Sequence, residues 1–159
     1  MMTYVLDTNV IRKLLFHFPK KGKVFEEVWA SLEAGIQAEK YISVDECFNE
    51  LAGQFSKDSD ALKWINERKY MFKNPDSAET LIIRELFKNS KMRESIHTKN
   101  ILSNRPSADA YIVAKAKQIQ ATVVTAEEYK PHSAQLPNLC EQLEVTYISF
   151  DDFMELVTQ

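Results

Sequence analysis

Five acidic residues stand where carboxylates can do chemistry. Asp7 directly follows the apolar run Tyr4-Val5-Leu6. Glu50 lies in a segment with helical apolar spacing, and Asp109 lies at the start of another. Glu127 and Glu128 come just after the β-branched run Thr122-Val123-Val124-Thr125. In open α/β sheets, ligands gather beyond the carboxyl ends of the strands. Asp7 and Glu127 follow strand-like runs, and Asp109 opens the helix that feeds the later one. Three or four converging carboxylates repel one another and are stable together chiefly when cations neutralise them. All-oxygen ligands suit Mg²⁺ or Mn²⁺. Such an ion lowers the pKa of water and stabilises a phosphorane-like transition state, and two ions roughly 4 Å apart clamp both the attacking and the leaving oxygen.

Each acid also has a plainer use. Asp7-Thr8 suits a helix N-cap. Asp109 suits the positive end of a helix dipole, yet it shares a face with Ile112, Val113 and Ala116, which points it inward. At roughly 100° per residue, Glu50 sits on the shoulder of the stripe Val44, Cys47, Phe48, Leu51 and Phe55. Asp45 flanks the other shoulder, and Glu46 faces solvent most squarely. Periodicity therefore prefers Glu50 to Glu46 and leaves Asp45 as an equal. Taken alone, Glu127 and Glu128 are ordinary loop acids.

The elements that must position these residues follow from apolar spacing. Tyr4–Leu6 reads as a buried strand that stops at Asp7-Thr8-Asn9. Val10 to Phe18 has helical spacing and ends at Pro19. Val24, Phe25, Val28, Trp29, Leu32 and Ile36 form the stripe of a second helix. Tyr41–Ser43 is a second strand, followed by the Glu50 helix over Val44 to Phe55. Leu62 to Tyr70 reads as helix. Asp76 or Ser77 caps another through Phe87, with Leu81, Ile82, Leu86 and Phe87 as its inner residues. Asn89 to Asn104 is polar and basic and reads as a long loop. Ser107 begins a helix through Ile119 whose inner face is Ile112, Val113, Ala116 and Ile119. Thr122–Thr125 is a strand, Pro137 to Leu143 a short helix, and Val145 to Ile148 a last strand. Ser149, with Asp152 three residues on, caps a closing helix. Short apolar strands alternating with helices predict an α/β domain with a parallel sheet.

A chain of 159 residues is one ordinary domain, residues 1–159. No apolar run approaches the ~20 residues a membrane helix needs, and the N-terminus does not read as a signal peptide, so a cytoplasmic protein is expected. Cys47 and Cys140 form no metal-binding pattern and read as buried free thiols. The spacing of His17, His97 and His132 suggests no metal site. The net charge of −3 is unlike that of a broad nucleic-acid-binding surface, which is usually basic. Any nucleic acid would have to be held by a local basic patch beside the acidic centre.

Four segments together resemble the motifs of the PIN-domain nuclease family. Tyr4-Val5-Leu6-Asp7-Thr8-Asn9-Val10-Ile11 is similar to its opening strand and Asp-Thr-Asn/Ser step. Ile42-Ser43, followed by Glu50-Leu51, is similar to its second motif. Ser107-Ala108-Asp109-Ala110-Tyr111-Ile112-Val113-Ala114 is similar to its third, an Asp opening an apolar helix. Thr122-Val123-Val124-Thr125-Ala126-Glu127 is similar to its fourth, which normally reads strand-Thr-Asn-Asp. The order is right and the resemblance spans essentially the whole chain. The ending, from Leu136-Pro137-Asn138-Leu139-Cys140 through Phe150-Asp151-Asp152-Phe153, looks like that of a less familiar PIN-like subfamily.

The resemblance implies a three-layer α/β/α fold with a mainly parallel central sheet. It implies a metal-dependent endoribonuclease that hydrolyses RNA phosphodiesters with Mg²⁺ or Mn²⁺. Many bacterial members, the VapC-like proteins, are toxins of type II toxin–antitoxin pairs, usually homodimers inhibited by a small antitoxin protein. Carried over by position, Asp7, Glu50 and Asp109 are the metal-binding acids and Glu127 is the fourth catalytic acid. Glu127 departs from the family's Asp, which leaves Glu128 as its alternative and leaves a second ion open. Asn9, Thr125, Arg12, Lys13 and Arg105 are the candidate substrate contacts. Two rivals remain. A non-catalytic PIN-like module would bind RNA or a protein without cutting. A phosphohydrolase with an aspartyl nucleophile would carry a second Asp at the position Asn9 occupies.

Overall fold

The computed structural model describes residues 2–20, 22–88, 93, 108–133 and 135–159. Its core is a five-stranded parallel sheet made of β1 (Tyr4–Leu6), β2 (Tyr41–Val44), β3 (Phe72–Lys73), β4 (Thr122–Thr125) and β5 (Tyr147–Ser149). The spatial order is β3-β2-β1-β4-β5. The described residues also form eight α-helices: α1 (Thr8–His17), α2 (Glu26–Gln37), α3 (Asp45–Gln54), α4 (Asp60–Glu67), α5 (Ser77–Phe87), α6 (Asp109–Ile119), α7 (Leu136–Gln142) and α8 (Phe150–Val157). This is the three-layer α/β/α, PIN-like fold that the resemblance implies, with helices covering a parallel sheet.

The strands read as unbroken apolar runs for a physical reason. A parallel sheet covered on both faces buries every side chain rather than alternate ones. Tyr4, Val5 and Leu6 are all buried, and so are Thr122 to Thr125. β1 pairs with β2 on one side and β4 on the other, through Val5–Ile42 and Val5–Val123. The chain moves outward from β1 to β2 and β3, then returns to the far side of β1 with β4 and β5. The reversal lies between β1 and β4, and the crevice at such a switch point is where α/β sheets bind ligands.

Several boundaries differ from expectation. The strand β3 escapes sequence reading because two residues carry no periodicity. The helix expected over Leu62 to Tyr70 starts at Asp60, capped by Ser59, and gives way to a 3₁₀ turn at Lys69–Met71. In α5 the stripe facing inward is Glu79, Ile82, Ile83 and Leu86, so Leu81 is exposed. Glu79 is only 1% exposed because Lys115 of α6 meets it as an ion pair, and Lys115 also donates to the Asn74 carbonyl. Spacing rules place such charges outside. Ile119, in the last turn of α6, is exposed rather than inner. Most of the loop expected over Asn89 to Asn104 lies outside the described residues.

Three turns from helix to strand share one device. Glu39, Gln120 and Glu144 each adopt positive φ, near 58°, 56° and 58°, just before β2, β4 and β5. Glycine usually fills this left-handed position at a helix end, and the chain holds only three glycines. One of these, Gly35, serves a different need. It lies against the Tyr41 ring so closely that a Cβ would collide with it.

Candidate functional site

The site grows from the end of β1. The Asp7 N–H donates to the Val124 carbonyl at 3.1 Å, which ties the end of β1 to β4. On the other flank, the buried Ser43 hydroxyl donates to the Leu6 carbonyl at 2.7 Å. Asp7 is thereby held on the switch point, 3% exposed. It is the N-cap of α1, and its Oδ1 accepts from the Thr8 N–H at 2.7 Å. Asp109 is the first residue of α6 and is 8% exposed. Both carboxylates therefore sit at helix N-termini, where the aligned peptide dipoles favour negative charge.

Glu50 stands between these two elements. Its Oε2 accepts from the Thr8 hydroxyl at 2.7 Å, and its Oε1 accepts from the Ala108 N–H at 2.9 Å. One carboxylate from α3 thus contacts the residues next to Asp7 and Asp109. Asp45, its rival by periodicity, is half-buried. Glu46 is half-buried as well rather than fully solvated. Burial chiefly raises its pKa, with Asp45 and Glu50 adding to the effect. Helix spacing locates only the helix's own core face and misses cover supplied by neighbouring segments.

The two cysteines border the same acids. Burial pushes the Cys140 thiol up to about 12, and the charges of Asp109 and Asp7 add to the shift. The Cys47 thiol is raised further, first by burial and then by Asp7, against lowering bonds from Ser43 and Thr8. Both are free and buried. The charge of Asp7 raises both thiols. At neutral pH both groups are neutral thiols, so the anionic donors at this centre are carboxylate oxygens.

The fourth position is built differently. The Thr125 hydroxyl, 1% exposed, accepts from the Glu127 N–H at 3.0 Å. Glu127 Oε2 accepts from the Leu136 N–H at 3.3 Å, at the start of α7. Glu127 is half-buried and Glu128 exposed, so Glu127 is the acid turned toward the domain. Among the basic candidates, Arg12 donates to Gln54 at 2.6 Å and to the exposed Asn9 at 3.2 Å. Lys13 leaves α1 on another flank, with its Nζ 4.5 Å from the Phe150 ring centroid. Arg105 lies outside the described residues.

The donors available to a divalent ion at this centre would be carboxylate oxygens. No three Asp, Glu, His or Cys side chains among the described residues are grouped closely enough to hold one by themselves. Mg²⁺, however, is usually held by one or two carboxylates and keeps several waters. Asp7 and Asp109 are buried carboxylates of the kind such an ion uses. A cleft of about 490 Å³ lined by Leu15, Lys20, Trp64, Glu67 and Arg68 contains none of Asp7, Glu50, Asp109 and Glu127. No helix among the described residues is long and apolar enough to cross a membrane. Thr8 and the Ala108 N–H were not expected at the site. The only sequence signal for Thr8 is its place in the first motif, and a backbone N–H leaves no signal at all.

The fold is that of a PIN-like domain. The chain belongs to the family described as domain of unknown function DUF4411, whose model matches residues 4–158. No curated protein matches it. Among solved structures it is similar to VapBC2 from Rickettsia felis bound to a DNA fragment from their promoter. That match has a TM-score of 0.55 and 14% identity, covering 93% of this chain and 98% of the other. It is also similar to FitAB bound to an IR36 DNA fragment, with a TM-score of 0.50 and 20% identity, covering 93% and 95% of the two chains. These likenesses establish the fold.

Proposed function

We propose that this chain is a Mg²⁺- or Mn²⁺-dependent endoribonuclease, the toxin of a type II toxin–antitoxin pair. The observation that carries the reading is the placing of two buried carboxylates, Asp7 and Asp109, at helix N-termini beside the β1/β4 switch point. The similarity to VapBC2 and FitAB, both solved as two-component complexes on DNA, supports a small antitoxin partner. A homodimer and a cytoplasmic location follow from the same family reading.

Asp7 and Asp109 hold the ion. When bound, it neutralises charge on the phosphate and makes water a better nucleophile. Glu127 completes the acidic set from the loop after β4, and Glu50, on α3, stands beside both acids. Arg12 draws the RNA backbone by charge, with Asn9 and Thr125 as polar contacts and with Lys13 and Arg105 as the further basic candidates. Part of the net charge of −3 is the ion site itself. The test is cleavage of RNA by purified protein with and without EDTA. Asp7→Asn and Asp109→Asn are expected to lose at least a hundredfold in rate, and unchanged rates in both would sink the assignment.

A non-catalytic PIN-like module is the second reading. It draws on Glu127, whose carboxylate already serves the Leu136 N–H. Calorimetry with Mn²⁺ separates the two, since absence of binding at millimolar metal favours the module.

A further inference from the structure

We infer that Glu50 is a positioning residue, a clasp that holds the N-terminus of α6 against the start of α1 so that Asp109 stays aligned with Asp7. Three observations carry this. First, both carboxylate oxygens are already engaged within the protein, by the Thr8 hydroxyl and the Ala108 N–H. Second, the N-cap residue of α6 supplies no side-chain cap. It is Ala108, which has no side-chain acceptor and lies in the helical region at φ −81°, ψ −10°. In a capping box, a Glu or Gln at the third helical position reaches back to the N-cap N–H. Here that position is Tyr111, and the carboxylate arrives from α3 instead. Third, the clasp joins segments 42 and 58 residues away in sequence. It therefore spans the first and third motifs, whose acids sit next to the two donors.

The role concerns the ion site proposed above, although the clasp itself exists without an ion. A carboxylate used this way needs its geometry more than its charge. A glutamine can keep both links, since its carbonyl accepts from Ala108 N–H and its amide donates to the Thr8 hydroxyl oxygen. An ion ligand cannot be replaced so simply.

The experiment compares E50Q, E50A and T8V with the wild type in two measurements. Thermal melting and amide exchange at Ala108 in EDTA report the clasp without any metal. Calorimetry with Mn²⁺ reports the alignment of Asp7 and Asp109. E50Q is expected to melt near the wild type, to keep the Ala108 amide protected, and to bind Mn²⁺ within about threefold of the wild type. E50A is expected to melt lower, to expose the Ala108 amide and to weaken Mn²⁺ at least tenfold. T8V, which removes one link, is expected to fall between them and covers the case in which E50A does not fold. E50Q that melts normally yet loses Mn²⁺ as fully as D7N would make Glu50 a ligand and overturn the inference. E50A with a normal melt and a protected Ala108 amide would overturn it too. If the wild type neither binds Mn²⁺ nor cuts RNA, the nuclease reading fails, while the EDTA measurements still decide the clasp.

Discussion

Replacing Lys115 by Met probes how the Asp109 helix is seated. Lys115 is 8% exposed and Glu79, its partner on α5, is 1% exposed. The same ammonium donates to the Asn74 carbonyl at 3.1 Å, just beyond β3. Removing it leaves Glu79 as a buried carboxylate without its cation. Breaking a buried pair from one side costs about 3–5 kcal/mol, whereas replacing both partners by apolar groups is often neutral or stabilising. With a urea slope of roughly 2 kcal/mol per molar for a chain of this size, the single variant should lose about 2 M in unfolding midpoint. The double variant Glu79→Leu/Lys115→Met should recover most of that loss, because the charge needing a partner has gone. Urea unfolding followed by circular dichroism measures both. A single variant within about 0.5 kcal/mol of wild type, the range of an ordinary surface change, would refute the reasoning. So would a double variant no better than the single one.

Three further outcomes are expected. Gly35→Ala should destabilise by about 1–3 kcal/mol, the range for overpacking, because the Tyr41 ring it meets is itself wedged against Phe153 at 5.0 Å between centroids; a normal melting temperature would contradict this. Gln120→Gly should stabilise by roughly 0.5–1 kcal/mol by relieving a left-handed residue at the exposed end of α6, read from the same unfolding curve. Cys140 holds its proton up to about 12 in the fold, against 9.0 as its ordinary value. Its contribution to stability is therefore complete below pH 9 and is lost as pH rises from 9 toward 12. Iodoacetamide at pH 8 should label neither thiol until the protein is unfolded, and rapid native labelling of Cys140 would refute the burial argument.

Local chemistry makes part of the site legible in the sequence. An acid straight after a buried strand, or on the inner face of an apolar helix, is a statement about neighbours in sequence. Spacing alone therefore locates Asp7 at the end of β1 and turns Asp109 inward, and the strands β1, β2 and β4 stand out because a covered parallel sheet buries whole runs. The order β3-β2-β1-β4-β5, and with it the crevice at β1/β4, needs the tertiary structure, since two-residue β3 has no period and strand order is not local. Periodicity does not choose between Glu50 and Asp45. In the fold Glu50 meets Thr8 and a backbone N–H 58 residues away. The Glu79–Lys115 pair is hidden for the same reason, because a charge belongs inside only when a distant partner meets it there. The sequence alone determined which carboxylates are available and on which element each begins. Only the fold decided that Glu50 meets the Thr8 hydroxyl and the Ala108 N–H, because those bonds join residues that the chain keeps far apart.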